Sequence, residues 1–176
     1  EYLGWRHRRL TGSEYVKFMQ QFARAFKNVF PHALCQWEDF SKQNAFAVRD
    51  AYLHDLISFN DDIQGTGAVA LAGILAAMKV KNEKMTDQVY LIHGAGAGGI
   101  GIADQILTEL VELGMGEDAA ISQIFTLDSR GVVTSDRHLE PYKKKYAKDP
   151  KTLSWLKTAA DNTLLNVVKN EKVTVL

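Results

Sequence analysis

The chain has 176 residues, 46% of them apolar and 24% charged, enough to bury roughly 70% of the surface its unfolded form exposes and so to make one full domain or two small ones. Its 21 basic and 21 acidic side chains cancel, which excludes a global field that would steer it to nucleic acid or to an anionic membrane. The single cysteine, Cys35, excludes an internal disulfide and fits a reducing compartment, the cytoplasm or else the mitochondrial matrix, where its expected place is a buried apolar position in a strand.

In chain order, Thr11-Gly12-Ser13-Glu14 has the pattern of a capping box, and Tyr15, Phe18, Met19, Phe22, Phe26, Val29 and Phe30 follow at helical spacing, as the core face of a helix that Pro31 ends. Ala33 to Trp37 reads as a strand that stops at the acid pair Glu38-Asp39. Ser41 caps a helix to Tyr52, whose apolar side is Ala45, Phe46, Val48 and Tyr52, and Leu56 to Phe59 reads as a second strand that stops at Asp61-Asp62. A strand, a helix and a strand with so long a connection imply a right-handed parallel crossover. Both acid pairs then stand at the carboxyl edge of one sheet, where ligands of such sheets bind.

With Thr66 as cap, Ala68 to Met78 is apolar on every side and is expected as a helix buried all round; the apolar run is too short to span a bilayer. The polar stretch Lys79 to Gln88 holds the expected boundary between residues 1–80 and 81–176. Val89 to His93 reads as a strand with His93 packed beneath the turn Gly94 to Gly99, and Ile100 to Leu113 as a helix that ends at Gly114. Ile124 to Leu127 forms the next strand with Asp128 at its tip, and a helix from about Leu153 to Lys169 leads to a last strand at Val173. The lysine run Lys143 to Lys145 is expected as a solvated face.

The chemistry concentrates at two places. Gly94-x-Gly96-x-x-Gly99 follows a strand and opens a helix, the context a dinucleotide fingerprint requires. Gly94 permits the tight turn, Gly96 the approach of a diphosphate, and Gly99 close packing of helix on strand, with the phosphates at the helix N-terminus. Asp128 at the next strand tip can bond both ribose hydroxyls, which favours NAD; Arg130 nearby could instead welcome the 2′-phosphate of NADP. The other reading is a glycine turn that binds no dinucleotide. Four carboxylates at one sheet edge suit Mg2+ or Mn2+ better than Zn2+, and the five histidines are scattered without ligand spacing. Paired acids could also serve glycoside hydrolysis, for which a dinucleotide site has no use; each acid taken singly reads as a helix cap or surface charge.

Phe59-Asn60-Asp61-Asp62-Ile63-Gln64-Gly65-Thr66-Gly67 and the following Ala68 to Gly73 resemble the signature of malic enzymes and their malolactic relatives. Trp37-Glu38-Asp39-Phe40 with Asn44-Ala45-Phe46 resembles the family's preceding metal motif, and Tyr2-Leu3-Gly4-Trp5-Arg6-His7 with Arg9 the segment before it. The resemblance runs over essentially the whole chain. It implies an α/β fold: part of a small parallel-sheet catalytic domain, then a truncated Rossmann-like NAD(P)-binding domain. It implies that Glu38, Asp39 and Asp62 bind the divalent metal, Mg2+ or Mn2+, and that Asp61 supports the catalytic lysine. Gly94, Ala95, Gly96 and Ala97 would hold the diphosphate of NAD or NADP, with Gly99 closing the turn, Asp128 on the adenosine ribose and Thr66 near the cofactor.

The implied reaction is oxidation of malate and its decarboxylation to pyruvate and CO2, or, in the malolactic variant, release of lactate. Gly67, where many malic enzymes carry alanine, leans towards the malolactic reading, and Arg6-His7 towards the malic one. The remaining reading is a nucleotide-binding module without catalysis. The chain opens without methionine and stops on an apolar run, Val173 to Leu176, and so reads as a piece of a longer protein, homo-oligomeric when whole. The family's tyrosine acid, lysine base and malate-gripping arginine are expected upstream of Glu1, and its substrate-binding asparagines beyond Leu176.

Overall fold

A computed structural model describes residue 4 and residues 6–176; Tyr2, Leu3 and Trp5 of the first motif lie outside the described residues. Helix α1, Gly12–Val29, begins at Thr11, whose backbone is extended but whose side chain caps nothing, so the expected capping box does not form. Its aromatic stripe is only partly core. Met19 and Ala23 are buried, whereas Phe18, Phe22, Val29 and Phe30 are exposed, because no described element covers that side. What α1 does cover is a small cluster with Cys35, Trp37 and Val48. Cys35 is thus a buried free thiol in a strand, as its type suggests.

Strand β1, Cys35–Trp37, and strand β2, Ser58–Asn60, pair in parallel with Trp37 opposite Asn60. Helix α2, Lys42–Tyr52, makes the crossover and buries Ala45, Phe46 and Val48. The tips of the two strands therefore lie side by side, and the acid pairs follow directly from them.

Asn60 starts the next helix. Its Oδ1 accepts from the amide of Ile63 at 2.9 Å, and Gln64 Oε1 accepts from the amide of Asn60 at 2.9 Å, a reciprocal cap of the kind that ends a strand and begins a helix. The first turn, Asp61–Gly65, is a π turn, and helix α3, Thr66–Lys81, continues from it. Thr66 is therefore inside a helical run and not its cap.

Helix α3 is also not buried all round. Val69 is 76% and Val80 87% exposed, and only Gly67 and Met78 are buried along it. The run is longer than its apolar part: Asp61–Lys81 spans 21 residues and is the one helix among the described residues long and apolar enough, by length and composition, to cross a membrane. Here it lies along helix α4, Ala97–Glu112, at a glycine crossing. A Cβ on Gly67 would stand 2.5 Å from the carbonyl oxygen of Gly101 and 2.8 Å from Gln105 Cγ, so the two helices approach closer than side chains allow.

Strand β3, Tyr90–His93, pairs in parallel with strand β4, Ile124–Asp128, which pairs antiparallel with the short strand β5, Gly131–Val132. Helix α4 makes the crossover with helix α5, Glu117–Ser122, inserted before β4. This is the parallel, Rossmann-like unit expected, and the main core lies between it, α2 and α3. Phe46 of α2 stacks on Tyr142 with ring centroids 4.5 Å apart, which ties the first sheet's helix to the segment after β5.

Three local expectations fail. His93 is exposed at the end of β3 and does not pack beneath the turn. The helix expected over Leu153 to Lys169 is one short 3-10 turn, Ala159–Asp161, and helix α6, Leu164–Asn170, with another 3-10 turn, Pro150–Thr152, just before that span. Thr158, bonded to the Asp161 carboxylate, and Thr163, accepting from the Asn166 amide, each start a new turn inside that span with side-chain bonds that compete with a continuous helix. The last strand is a single parallel bridge of Val175 to Tyr90.

Lys148 holds the α5 end in place: its Nζ donates to the carbonyls of Ile121 at 2.6 Å and Ser122 at 3.0 Å and lies 4.5 Å from the Phe125 ring centre. Burial pushes its pKa down to about 8, against a smaller raising effect of Glu171. The unfolded chain therefore binds more protons between about pH 8 and the ordinary lysine value near 10.4, and this residue makes stability rise with pH across that window. The neutral amine still has two N–H groups for the two carbonyls. Chemical denaturation at pH 7.5 and 9.5 should show wild type gaining about 1–2 kcal/mol relative to Lys148→Met over that interval; equal pH slopes would refute it.

Candidate functional site

The acids leave the strand tips by two different local devices. Asp39 adopts a left-handed conformation, φ 59°, which turns the chain sharply after β1 at some conformational cost. Asp62 sits in the π turn after β2, and its Oδ2 accepts from the Asp39 amide at 3.1 Å. The outcome is that ligand-capable oxygens of Glu38, Asp39 and Asp62 lie within 4.8 Å of one another.

Three half-exposed or exposed carboxylates so close repel one another, and a hard divalent cation is the partner that removes the repulsion. The donor set is all oxygen, with no thiolate or imidazole among the gathered groups, and so fits Mg2+ or Mn2+.

Asp61 is not in that trio. It faces Glu38: the hydrogen bond with the Asp61 side chain, then desolvation and the charges of Asp61 and Asp62, push the Glu38 carboxyl above the ordinary range against a lowering bond from Gln36. A Cβ on Gly65 would collide with the Asp61 carboxylate, so the glycine one turn on leaves room for that side chain to fold back.

The glycine turn abuts these acids. A Cβ on Gly98 would stand 3.4 Å from both the Asp62 carbonyl oxygen and Thr66 Cγ2, which places the expected cofactor residue Thr66 against the turn. Gly94 has φ 143°, and a Cβ on Gly99 would fall on the Gly94 carbonyl. The third glycine is thus required by closure of the turn itself as well as by its contact with Ile92 on β3.

Helix α4 starts at Ala97, inside the glycine motif and earlier than the expected Ile100, with Gly96 as its cap. Its first internal bond runs from the Ile100 amide to the Gly96 carbonyl at 3.0 Å, which leaves the amides of Ala97, Gly98 and Gly99 without intrahelical acceptors. Ala95 is buried, while Gly96 and Ala97 are half-buried. The arrangement can receive a diphosphate on backbone N–H groups at a helix N-terminus.

Asp128 closes β4 at the expected place, but its carboxylate is occupied. Its Oδ1 accepts from the Arg130 amide at 2.9 Å, and its Oδ2 accepts from Arg137 Nη2 and, at 3.4 Å, from Lys143 Nζ. Burial pushes its pKa up, yet the Arg130 amide, Arg137 and Lys143 together hold it below the ordinary value. Lys143 also bonds Glu140 at 3.0 Å and is buried, so the lysine run is not a uniformly solvated face. Arg137 and the inward role of Lys143 were not legible from composition; their one signal is basic residues following an acid at a strand tip.

Residues 63–176 match the family profile described as malic enzyme, NAD binding domain, and residues 1–53 that described as malic enzyme, N-terminal domain. The chain is 41% identical to the NAD-dependent malic enzyme of Shewanella frigidimarina, over 99% of this chain and 32% of the relative. It is likewise 41% identical to the malolactic enzyme of Lactococcus lactis, over the same shares. The chain thus spans about a third of the length of the curated relatives it matches.

Among solved structures, it resembles the NAD-dependent malic enzyme from Thermotoga maritima with a TM-score of 0.60 and 22% identity, over 81% of this chain and 36% of that one. It resembles the malic enzyme from Pyrococcus horikoshii with a TM-score of 0.55 and 28% identity, over 82% and 32%.

Proposed function

Because the chain belongs to the malic enzyme family, we propose that it is the metal- and dinucleotide-binding part of an enzyme that oxidises malate with NAD and decarboxylates it to pyruvate and CO2. The observation that carries this reading is the convergence of Glu38, Asp39 and Asp62 directly beside the glycine turn. A site for a hard cation and a site for a dinucleotide side by side suit a substrate that is both polarised and oxidised.

When bound, the cation supplies Lewis acidity at the substrate oxygen and the nicotinamide accepts hydride. The three carboxylates would hold that cation and so set where the substrate oxygen sits. Asp61, against Glu38, orients the trio from the same turn and stands ready to support the reaction's lysine. The free amides of α4 and the backbone at Gly94, Ala95, Gly96 and Ala97 receive the diphosphate, and Thr66 lines the junction of the two sites. Asp128 would share its carboxylate between Arg137, Lys143 and a ribose hydroxyl. The acid and base that move the proton, and the groups that grip malate, are assigned to other parts of the longer protein.

A second reading, the malolactic reaction, rests on the identity to the Lactococcus lactis enzyme, which equals that to the malic relative. Gly67 does not separate the two readings. Its lack of a side chain is accounted for by the contact of α3 with Gly101 and Gln105.

The test is an assay of the full-length protein with malate, NAD and Mn2+. Pyruvate and NADH formed in equal amounts support the malic reaction; lactate formed without net NADH overturns it in favour of the malolactic one. Residues 1–176 alone should give no malate-dependent NADH, and turnover by them would refute the placement of the acid and base elsewhere.

A further inference from the structure

A diphosphate at the glycine turn would bring negative charge to a place already crowded with it. Glu38, Asp39, Asp61 and Asp62 stand at the neighbouring strand tips, and the Asp62 backbone touches the turn itself. Neither the turn nor helix α4 carries a basic residue anywhere from Gly94 to Leu113. The helix N-terminus contributes only about half an elementary charge, so a full countercharge has to come from another element.

Two of the basic residues near Asp128 do not supply it, because Arg137 and Lys143 are bound to that carboxylate, and no Arg130 atom is among the neighbours of the glycines of the turn. Lys42 is different. It is the first residue of α2, three positions after Asp39, exposed and without a hydrogen bond or ion pair among the described residues. Its stem crosses to the glycine turn: Cε lies 3.7 Å from where a Cβ on Gly96 would be, and among the described residues, the two adjoining Gly96 aside, no other group comes within 4 Å of that position. The open side of Gly96, where a diphosphate would lie against the backbone, is thus the side to which Lys42 reaches.

We propose that Lys42 is a cofactor-binding residue whose ammonium group pairs with the dinucleotide diphosphate over Gly96, clamping it against the amides of α4. The assignment rests on the cofactor reading of the glycine turn. It gives the segment 38–42 two tasks: Glu38 and Asp39 face the cation while Lys42 faces the cofactor, so the two neighbouring negative groups, carboxylates and diphosphate, each have a positive partner of their own.

The experiment is calorimetric titration of NAD, ADP-ribose and adenosine into the full-length protein and its Lys42→Ala, Lys42→Arg and Gly96→Val variants at low ionic strength. Lys42→Ala should weaken NAD and ADP-ribose by about tenfold or more, with the loss shrinking as salt is added. Lys42→Arg should recover most of it, and adenosine, which has no phosphate, should bind all Lys42 variants alike.

Unchanged ADP-ribose affinity in Lys42→Ala overturns the proposal, and if Gly96→Val still abolishes binding the cofactor reading survives it. An equal loss of adenosine overturns it too, since the effect would then be structural. If wild type binds neither NAD nor ADP-ribose, the cofactor reading falls and the proposal with it.

Discussion

Asp62→Asn should lower the affinity for Mn2+ by about 100-fold or more, the upper end of what removing even an outer-shell partner costs a metal site. The variant separates charge from geometry. The Asp62 carboxylate accepts from the Asp39 amide, and an asparagine carbonyl can accept the same bond, so the left-handed turn at Asp39 and the position of the side chain are kept. What is lost is one of three gathered negative charges, and hard cations are held chiefly by such charge. Protein stability should be unchanged or slightly higher without metal, because mutual repulsion of the trio falls. Calorimetric titration of Mn2+ into both proteins measures this directly; equal affinities would remove Asp62 from the ligand set.

Gly101→Ala should have the largest effect on stability, a loss of about 3 kcal/mol or more, above the usual range for an overpacked core because backbone has to move. A Cβ there would land on the backbone of Ile63, in the π turn that carries Asp61 and Asp62. Ile63 is itself buried, and α4 cannot recede because Ala103, Ile106 and Leu110 are fixed in the core on the same helix. The clash therefore pushes the acidic turn away from α4 and shifts Asp61 and Asp62 with it, so residual folded protein should also bind Mn2+ more weakly. Urea denaturation and metal titration of the same sample test both parts. A midpoint within experimental error of wild type would show that the two elements can separate without cost.

Much of the site could be read from residue order. The acid pairs, the glycine turn and Asp128 each stand at the end of an apolar run, and a strand's end is a local property. The parallel pairing of β1 with β2 followed from the length of the connection, and it alone brings Glu38 and Asp39 to Asp62. Asn60 was missed as a cap although its type and position advertised it, because the adjacent acids drew the functional reading.

Other features had no local signal. The apolar composition of α3 suggested burial on every side, yet side chains such as Val69 and Val80 remain exposed, since composition says what can be covered and not whether another element arrives to cover it. The same holds for the exposed Phe18, Phe22 and Phe30 on α1. The helix expected after Leu153 failed for a local reason instead: the Asp161 carboxylate accepts from the Thr158 amide and the Thr163 hydroxyl from the Asn166 amide, and each bond restarts the chain.

The sequence by itself determined the chemical inventory, the main strands and helices as far as β4, and the family, because these depend on residue types and short spacings. Only the tertiary structure decided that Asp61 turns to Glu38, that Arg137 and Lys143 occupy Asp128, that Gly67 and Gly101 serve a helix crossing, and that Lys42 reaches Gly96. Those outcomes are contacts between segments far apart in the chain, set by how closely α2, α3 and α4 approach once their cores are packed, and neither spacing nor composition specifies such a distance.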